Sequence, residues 1–213
     1  MELTMTAPSK TQKFWDWTAN RYARSPIKDE AAYQRKLAIT RTHLTPDTEV
    51  LEFGAGTGST AILHAPHVKH IHAIDISPRM IEIAEGKTRD AGIDNITYER
   101  ADMDTLMAPE ESYDVALGMS ILHLVDDRDS VIEKVHTMLR PGGVFVSSTV
   151  CMAEGYGIFR YIGPVGFALG LLPRLRVFSK AELEASIRAA GFEIEESWKQ
   201  DSSPAAFIVA RKA

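Results

Sequence analysis

Cysteine is almost missing from this chain: Cys151 is the only one in 213 residues. A single thiol closes no internal disulfide, and its place after an apolar run marks a reduced core position of a cytosolic protein. Long apolar runs are missing as well, none reaching the length needed to span a bilayer. Met1-Glu2-Leu3-Thr4 lacks the basic-then-apolar pattern of a secretion signal. Nor is there a basic block: 24 Lys and Arg stand against 29 Asp and Glu, a net charge of -5. That leaves no electrostatic footprint for DNA or RNA. Internal repeats and low-complexity tracts are absent too. The expectation is a cytoplasmic, single-domain globular protein with a sizeable core and no nucleic-acid partner.

What the chain does have is Val50-Leu51-Glu52-Phe53-Gly54-Ala55-Gly56-Thr57-Gly58-Ser59-Thr60. An apolar run ends in an acid, and three glycines then alternate with small residues. This is the pattern of a buried parallel strand turning sharply into a helix. Glycines let the turn take positive φ and let a ligand approach its backbone without Cβ interference. The spacing is G-x-G-x-G, with Ser59 where a dinucleotide fingerprint wants its third small residue. A pyrophosphate site needs bare helix-N-terminal amides and no anion nearby, whereas Glu52 stands at the entrance. An acid there suits a positively charged ligand such as S-adenosylmethionine (SAM), with its sulfonium and ammonium groups.

On these residues the chain resembles the class I SAM-dependent methyltransferases, and within them the small-molecule type typified by the ubiquinone/menaquinone-biosynthesis C-methyltransferases. The resemblance runs through nearly the whole chain. It implies a Rossmann-like, doubly wound α/β fold: seven mostly parallel strands, the last inserted antiparallel, behind an N-terminal helical lid. It also implies SAM as cofactor, S-adenosylhomocysteine as product, and a small-molecule methyl acceptor.

Residues 11–45 are helical in pattern and rich in aromatics, with Ser25-Pro26 separating two short helices. Either the aromatics staple a helix pair onto the core, or the segment is a lid. It is similar to the family's W-x-x-x-A-x-x-Y segment, which implies that Trp15 and Tyr22 close over the methionine end of SAM. Trp17 and Tyr33 are read as packing residues.

Thr45-Pro46-Asp47 turns into a first strand over about 49–53, and a helix follows from Gly58 to about Ala65, stopped by Pro66. The second strand, 70–74, delivers Asp75 seventeen residues beyond Gly58, near the offset at which an acid reaches a ribose diol. Two vicinal hydroxyls match the two oxygens of one carboxylate. The competing role, capping the helix that starts at Pro78, is better filled by Ser77. Ile76 joins Asp75 in the expected cofactor site. His64, His67, His70 and His72 crowd this region, but on a helix end, in a loop and at alternate strand positions they lack metal-ligand spacing. No metal is expected.

A helix over 78–91 ends at Gly92, and a third strand, 96–99, leads to Ala101-Asp102-Met103. Asp102 is placed to accept from an exocyclic amine or to cap a turn, and Met103 offers a flat, polarisable contact for adenine. The A-D-M sequence is similar to the family's adenine motif. The fourth strand, within 112–120, ends in Gly118-Met119, which the resemblance sets against the methionine portion of SAM. His123 follows at a switch-point loop. It is a general base or a substrate-positioning group, or a histidine packed under the next helix. Gly118-Met119-Ser120-Ile121 is not the Asn/Asp-Pro-Pro-aromatic tetrapeptide of enzymes that methylate base amines.

Asp126-Asp127 caps a helix over 128–139, and Leu139-Arg140-Pro141-Gly142-Gly143 turns into a fifth strand, 144–148. Residues 151–178 are mostly apolar or glycine, broken by Pro164 and flanked by Arg160, Arg174 and Arg176. A core-capping helix, a pocket or lid for a lipophilic acceptor, and a membrane-surface contact are all open; a position over the strand ends favours the pocket. A helix with a capping box (Ser179 with Glu182) and strands over 192–197 and 205–211 complete the sheet.

The parts are therefore a helical lid (1–45), a SAM-binding core (46–150), an apolar insertion (151–178) and a C-terminal helix with two strands (179–213), in a monomer or homodimer. The expected cofactor residues are Trp15, Tyr22, Glu52, Gly54, Ala55, Gly56, Gly58, Asp75, Ile76, Asp102, Met103, Gly118 and Met119. His123 and Tyr22 are the catalytic candidates. The alternative is a SAM-binding protein without transferase activity. An NAD-dependent oxidoreductase is disfavoured by the glycine spacing, by Glu52 and by the lack of a Tyr-x-x-x-Lys pair.

Overall fold

Alternating strand and helix signals build one seven-stranded sheet in the computed structural model, which describes residues 8–153, 156–199 and 203–213. The strands are β1 (Glu49–Phe53), β2 (His70–Asp75), β3 (Ile96–Arg100), β4 (Tyr113–Met119), β5 (Leu139–Val150), β6 (Phe192–Lys199) and β7 (Ala205–Lys212). The helices are α1 (Lys10–Ala23), α2 (Glu30–Arg41), α3 (Ser59–His64), α4 (Pro78–Asp90), α5 (Arg128–Met138), α6 (Phe159–Ala168) and α7 (Lys180–Ala189). The strand order is β3-β2-β1-β4-β5-β7-β6. Strands β1 to β5 pair in parallel, and β7 lies antiparallel to both β5 and β6. The winding reverses between β1 and β4, which puts a ligand crevice outside the carboxyl ends of those strands.

The central strands are apolar on both faces because both are covered. Val50, Val115, Leu117, Val146 and Phe207 pack on one side, and Leu51, Phe53, Ala116, Phe145 and Ile208 on the other. Glu52 breaks this pattern at the end of β1. Asp29, Ser77, Asp127 and Ser179 each accept a backbone N–H at the start of α2, α4, α5 and α7, and Ser179 with Glu182 forms the reciprocal capping box.

The boundaries depart from expectation in two places. Strand β5 starts at Leu139, which pairs with Tyr113 ahead of the register shift at the Pro-Gly-Gly turn. Helix α3 stops at His64, and Ala65–His67 tighten into a 3-10 turn around Pro66. One packing expectation is corrected, and one of the open readings of residues 151–178 falls away. Trp17 is 72% exposed, because α1 buries Gln12, Thr18 and Ala19 and position 17 falls outside that face. Helix α6 buries Gly163 alone, so it does not cap the core. Among the described residues no helix is long and apolar enough to cross a membrane.

Candidate active site

The turn after β1 passes through Gly54, Gly56 and Gly58 with φ of 67°, 55° and 72°, a region that side chains bearing a Cβ rarely enter. The three glycines have different surroundings. A Cβ on Gly54 would lie 2.7 Å from the Ile121 side chain, and one on Gly58 2.5 Å from the Tyr98 hydroxyl. Above Gly56 the nearest atom is the edge of the Tyr22 ring, at 3.8 Å. Gly54 and Gly58 thus let the turn settle on its own fold, while Gly56 leaves an open approach. Ala55 N–H donates to the Ile74 carbonyl (3.0 Å), and Lys87 of α4 donates to the Thr57 carbonyl (3.2 Å) and hydroxyl (3.0 Å) from behind.

Two acids stand under this turn. Asp75 Oδ2 accepts the Gly56 N–H at 2.9 Å and Oδ1 the Ser77 N–H at 2.8 Å. Ser77, not Asp75, caps α4, accepting from Met80 at 3.1 Å. Each Asp75 oxygen keeps a second lone pair, so the carboxylate can still accept from two neighbouring hydroxyls; Ile76 beside it is half-buried. Burial raises the Asp75 carboxyl pKa, the two backbone bonds lower it, and the Asp16 charge raises it again. Glu52 is 1% exposed and its Oε2 is buried without a hydrogen-bond partner. Burial, with the Asp75 charge adding to it, pushes its pKa up to about 8. The anion expected at this position is therefore mostly a neutral acid at pH 7, and it would ionise when a cation arrives.

Helix α1 lies over these groups. Trp15 meets Tyr22 edge to face, with centroids 6.2 Å apart. Tyr22 is 51% exposed, yet its hydroxyl pKa is raised, first by burial and then by the charges of Asp75 and Glu52: the ring overhangs an open crevice. Asp16 accepts from the Ser77 hydroxyl at 2.6 Å, and Arg79 donates to Asn20 at 3.0 Å, so α1 is latched to the segment that follows Asp75. Tyr33, expected only to pack, faces the site instead. Its hydroxyl bonds Thr60 and feels Glu52 and Tyr22, with burial the main cause of its raised pKa. One turn on, Lys36 donates to Ser148 Oγ at 2.9 Å at the end of β5, and burial lowers its pKa. A half-buried ammonium bonded to a hydroxyl suits a ligand's carboxylate or anionic oxygen. The sequence reading missed Lys36; the signal available was its i,i+3 spacing from Tyr33.

Beyond β3, Asp102 Oδ1 accepts the Thr105 N–H (2.8 Å) and hydroxyl (2.7 Å). This turn cap uses one oxygen and leaves a ligand role to the other. Met103 is 5% exposed in the core cluster, so it packs beneath the loop and is not an open platform for a ring. Lys134 of α5 donates to the carbonyls of Met103 (2.5 Å), Leu106 (2.9 Å) and Asp104 (3.4 Å). Gly118 is a glycine because a Cβ there would lie 2.6 Å from the Phe53 ring.

Met119 ends β4 half-buried, and exposed Ser120 follows with φ 59° and its N–H on the Ser148 carbonyl at 2.6 Å. Positive φ outside glycine, at a switch point, is strain of the kind kept at functional sites. His123 is buried, its Nδ1 lacks a partner, and burial lowers its pKa to about 4. Its carbonyl accepts the Arg176 N–H at 2.9 Å. It is both packed under the loop and unsatisfied at one nitrogen.

The structure thus gathers Tyr22, Glu52, Gly56 and Asp75, with Tyr33 added, and joins them to the His123 loop through the Gly54–Ile121 contact. Asp102 sits on a separate loop. His72 is taken by Tyr113 and Glu99 and His70 by Thr97. His64 is fully buried with both ring nitrogens unpartnered. Among the described residues no cluster of three His, Cys, Asp or Glu could hold a metal ion.

Comparison with known proteins places this geometry. A family model described as a methyltransferase domain matches residues 50–143. A ubiquinone biosynthesis O-methyltransferase of Paraburkholderia phymatum is 30% identical over 201 residues, covering 89% of this chain and 84% of that protein. The crystal structure of YcgJ from Bacillus subtilis has a TM-score of 0.70 at 16% identity, covering 84% of this chain and 98% of that one. The [4+2]-cyclase SpnF has a TM-score of 0.78 at 19% identity and 97% coverage of both chains. At these identities the two structures speak for the fold alone.

Proposed function

The chain belongs to the class I SAM-dependent methyltransferases of the quinone-biosynthesis type, and from that membership we propose how its residues divide the work of methylating a small, partly apolar acceptor. The observation that carries the proposal is the buried, unpartnered Glu52 oxygen beside Asp75, under the open face of Gly56. Such a pair fits a ligand with a diol at one point and a cation at another.

SAM supplies a methyl carbon already activated by sulfonium; the acceptor's nucleophile bonds to that carbon and the carbon–sulfur electron pair stays on sulfur, leaving S-adenosylhomocysteine. Everything else falls to the protein. Asp75 accepts from the ribose hydroxyls with the lone pairs that Gly56 and Ser77 leave over. Glu52 ionises to receive the ammonium, and Asp102 accepts from the adenine amine. Trp15 and Tyr22 cover the reacting end and exclude water, and Tyr33 and Lys36 close the α2 side. His123, neutral at pH 7, takes the proton leaving an acceptor hydroxyl through Nδ1, or orients that hydroxyl. Alignment of this kind is worth effective molarities of order 10⁵ or more. Hydroxylated aromatic compounds are the first acceptors to test, given the relative's name.

The test is calorimetric titration with SAM, S-adenosylhomocysteine and NADH on wild type and Asp75→Ala. Micromolar binding of both adenosyl ligands, weakened at least tenfold in the variant, is expected. NADH binding with no adenosyl binding would overturn the assignment.

A further inference from the structure

A lysine in the last turn of a helix ordinarily leans toward that helix's own terminal carbonyls, which carry partial negative charge. Lys87 stands in the last turn of α4 and does otherwise. Its side chain runs back along the helix, the direction in which a helical Cα–Cβ bond already tilts, and ends behind the glycine turn. There Nζ donates to the Thr57 carbonyl at 3.2 Å, the Thr57 hydroxyl at 3.0 Å and the Ser59 hydroxyl at 3.3 Å. An ammonium has three donors and no more, so its whole capacity is spent on the turn. These acceptors are neutral; among the described residues no carboxylate pairs with Lys87. Burial lowers its pKa, a penalty that a hydrated surface lysine escapes.

That charge pins one peptide group. Asp75 takes the Gly56 N–H on one side, and Lys87 takes the Thr57 carbonyl on the other. Between them lies the peptide that joins residues 56 and 57. Among the described residues nothing bonds its Gly56 carbonyl or its Thr57 N–H, and the nearest atom above Gly56 is the Tyr22 ring edge at 3.8 Å. The rest of the turn is secured without Lys87. Ala55 N–H donates to the Ile74 carbonyl and Gly58 N–H to the Ala55 carbonyl. Gly58 is hemmed in by Ala84 and by Tyr98, whose hydroxyl meets the Thr88 hydroxyl at 2.9 Å. A peptide beside glycine turns over more readily than one between ordinary residues, so this is the point at which the turn needs a second grip.

We propose that Lys87 is a positioning residue for the cofactor. It touches neither cofactor nor acceptor; by holding the Thr57 carbonyl from behind, it fixes the peptide whose free carbonyl and N–H face the ligand above Gly56. This role rests on the SAM-binding reading of the crevice.

The experiment is calorimetric titration of the full chain with SAM and S-adenosylhomocysteine for wild type, Lys87→Met and Lys87→Arg, with amide nitrogen–proton correlation spectra of each protein free of ligand. Lys87→Met keeps the aliphatic stem and should bind both ligands about tenfold more weakly. Its Gly56 and Thr57 amide resonances should shift while those of β4 and β5 stay in place. Lys87→Arg still carries donors for the Thr57 carbonyl and should return to within about threefold of wild type. A merely structural loss would lower the melting temperature without singling out those two amides, and arginine would not repair the affinity. Should Lys87→Met not fold, Lys87→Gln, neutral and one atom shorter, takes its place under the same criteria. The proposal is overturned if the neutral variant binds like wild type, if the Gly56 and Thr57 amides do not move, or if arginine binds no better than the neutral variant. A wild type that binds neither adenosyl ligand overturns the cofactor reading itself, and the proposal with it.

Discussion

Replacing Glu52 by Gln keeps the side chain's shape and removes its charge. With the pKa pushed from 4.5 to about 8 by burial and by Asp75, the folded chain holds a proton that the unfolded chain gives up. A carboxyl raised in this way costs stability as pH climbs through the gap. The loss begins above 4.5 and is complete above 8, at about 1.4 kcal/mol per pH unit. By pH 7 it amounts to about 3 kcal/mol, an upper value because the site can relax or admit water. Glu52→Gln should therefore be more stable than wild type at pH 7, still more so at pH 8.5, and nearly equal to it at pH 5. For a domain of this size the gain at pH 7 reads as roughly 2–4 °C of melting temperature per kcal/mol. Cofactor binding should move the other way. About ten parts in eleven of Glu52 are protonated at pH 7 if its pKa is about 8, so an arriving ammonium expels close to one proton. Titrating SAM into wild type in two buffers of different ionisation enthalpy should reveal that proton. The variant should release none and bind at least tenfold more weakly. A pH-independent stability difference, or equal proton release by both proteins, would refute the reasoning.

Gly54→Ala and Gly56→Ala should separate folding from binding. The first drives a Cβ into Ile121 and should cost about 2–4 kcal/mol by urea titration, partly recovered by Ile121→Ala. The second meets little protein and should cost about 1–2 kcal/mol while abolishing SAM binding by calorimetry. Lys134→Met frees three carbonyls of the Asp102 loop and should weaken S-adenosylhomocysteine several-fold at nearly unchanged melting temperature; unchanged affinity would remove that loop from the adenine site. His64 and His123 are both held near pKa 4 by burial. A lowered histidine contributes stability that is full above about 6.5 and lost as pH falls toward 4. Urea midpoints should drop across that window, and His64→Leu should flatten the drop.

The glycine turn, Asp75 and the seven strands were legible because their signals are local. A turn that needs positive φ writes glycine into the chain, and buried parallel strands write unbroken apolar runs. What escaped was set by tertiary placement. Tyr33 and Trp17 are both aromatic residues on amphipathic helices, and nothing local says that one faces the crevice and the other solvent. Lys36 and Lys134 look like surface lysines until the carbonyls and hydroxyl they hold are seen. Met103 was read as a ligand contact because its neighbour Asp102 carries the motif, yet its side chain supports the loop from below. The insertion kept three readings open because its apolar composition does not say which face turns inward.

Strand β7 lies between β5 and β6 although it follows both in the chain. On the ribosome this imposes an order of events. β5 ends at Val150 and its free edge stays bare until the segment beginning at Ala205 has left the exit tunnel. β6 is made first but has no neighbour other than β7, so the two can dock only together, as a hairpin. The half that carries the glycine turn and Asp75 is translated well before that docking. A nascent chain stalled after β5 is therefore a partial sheet with its cofactor turn already present and the β5 edge exposed, and early capture of SAM would stabilise it at the stage when it is most exposed to aggregation.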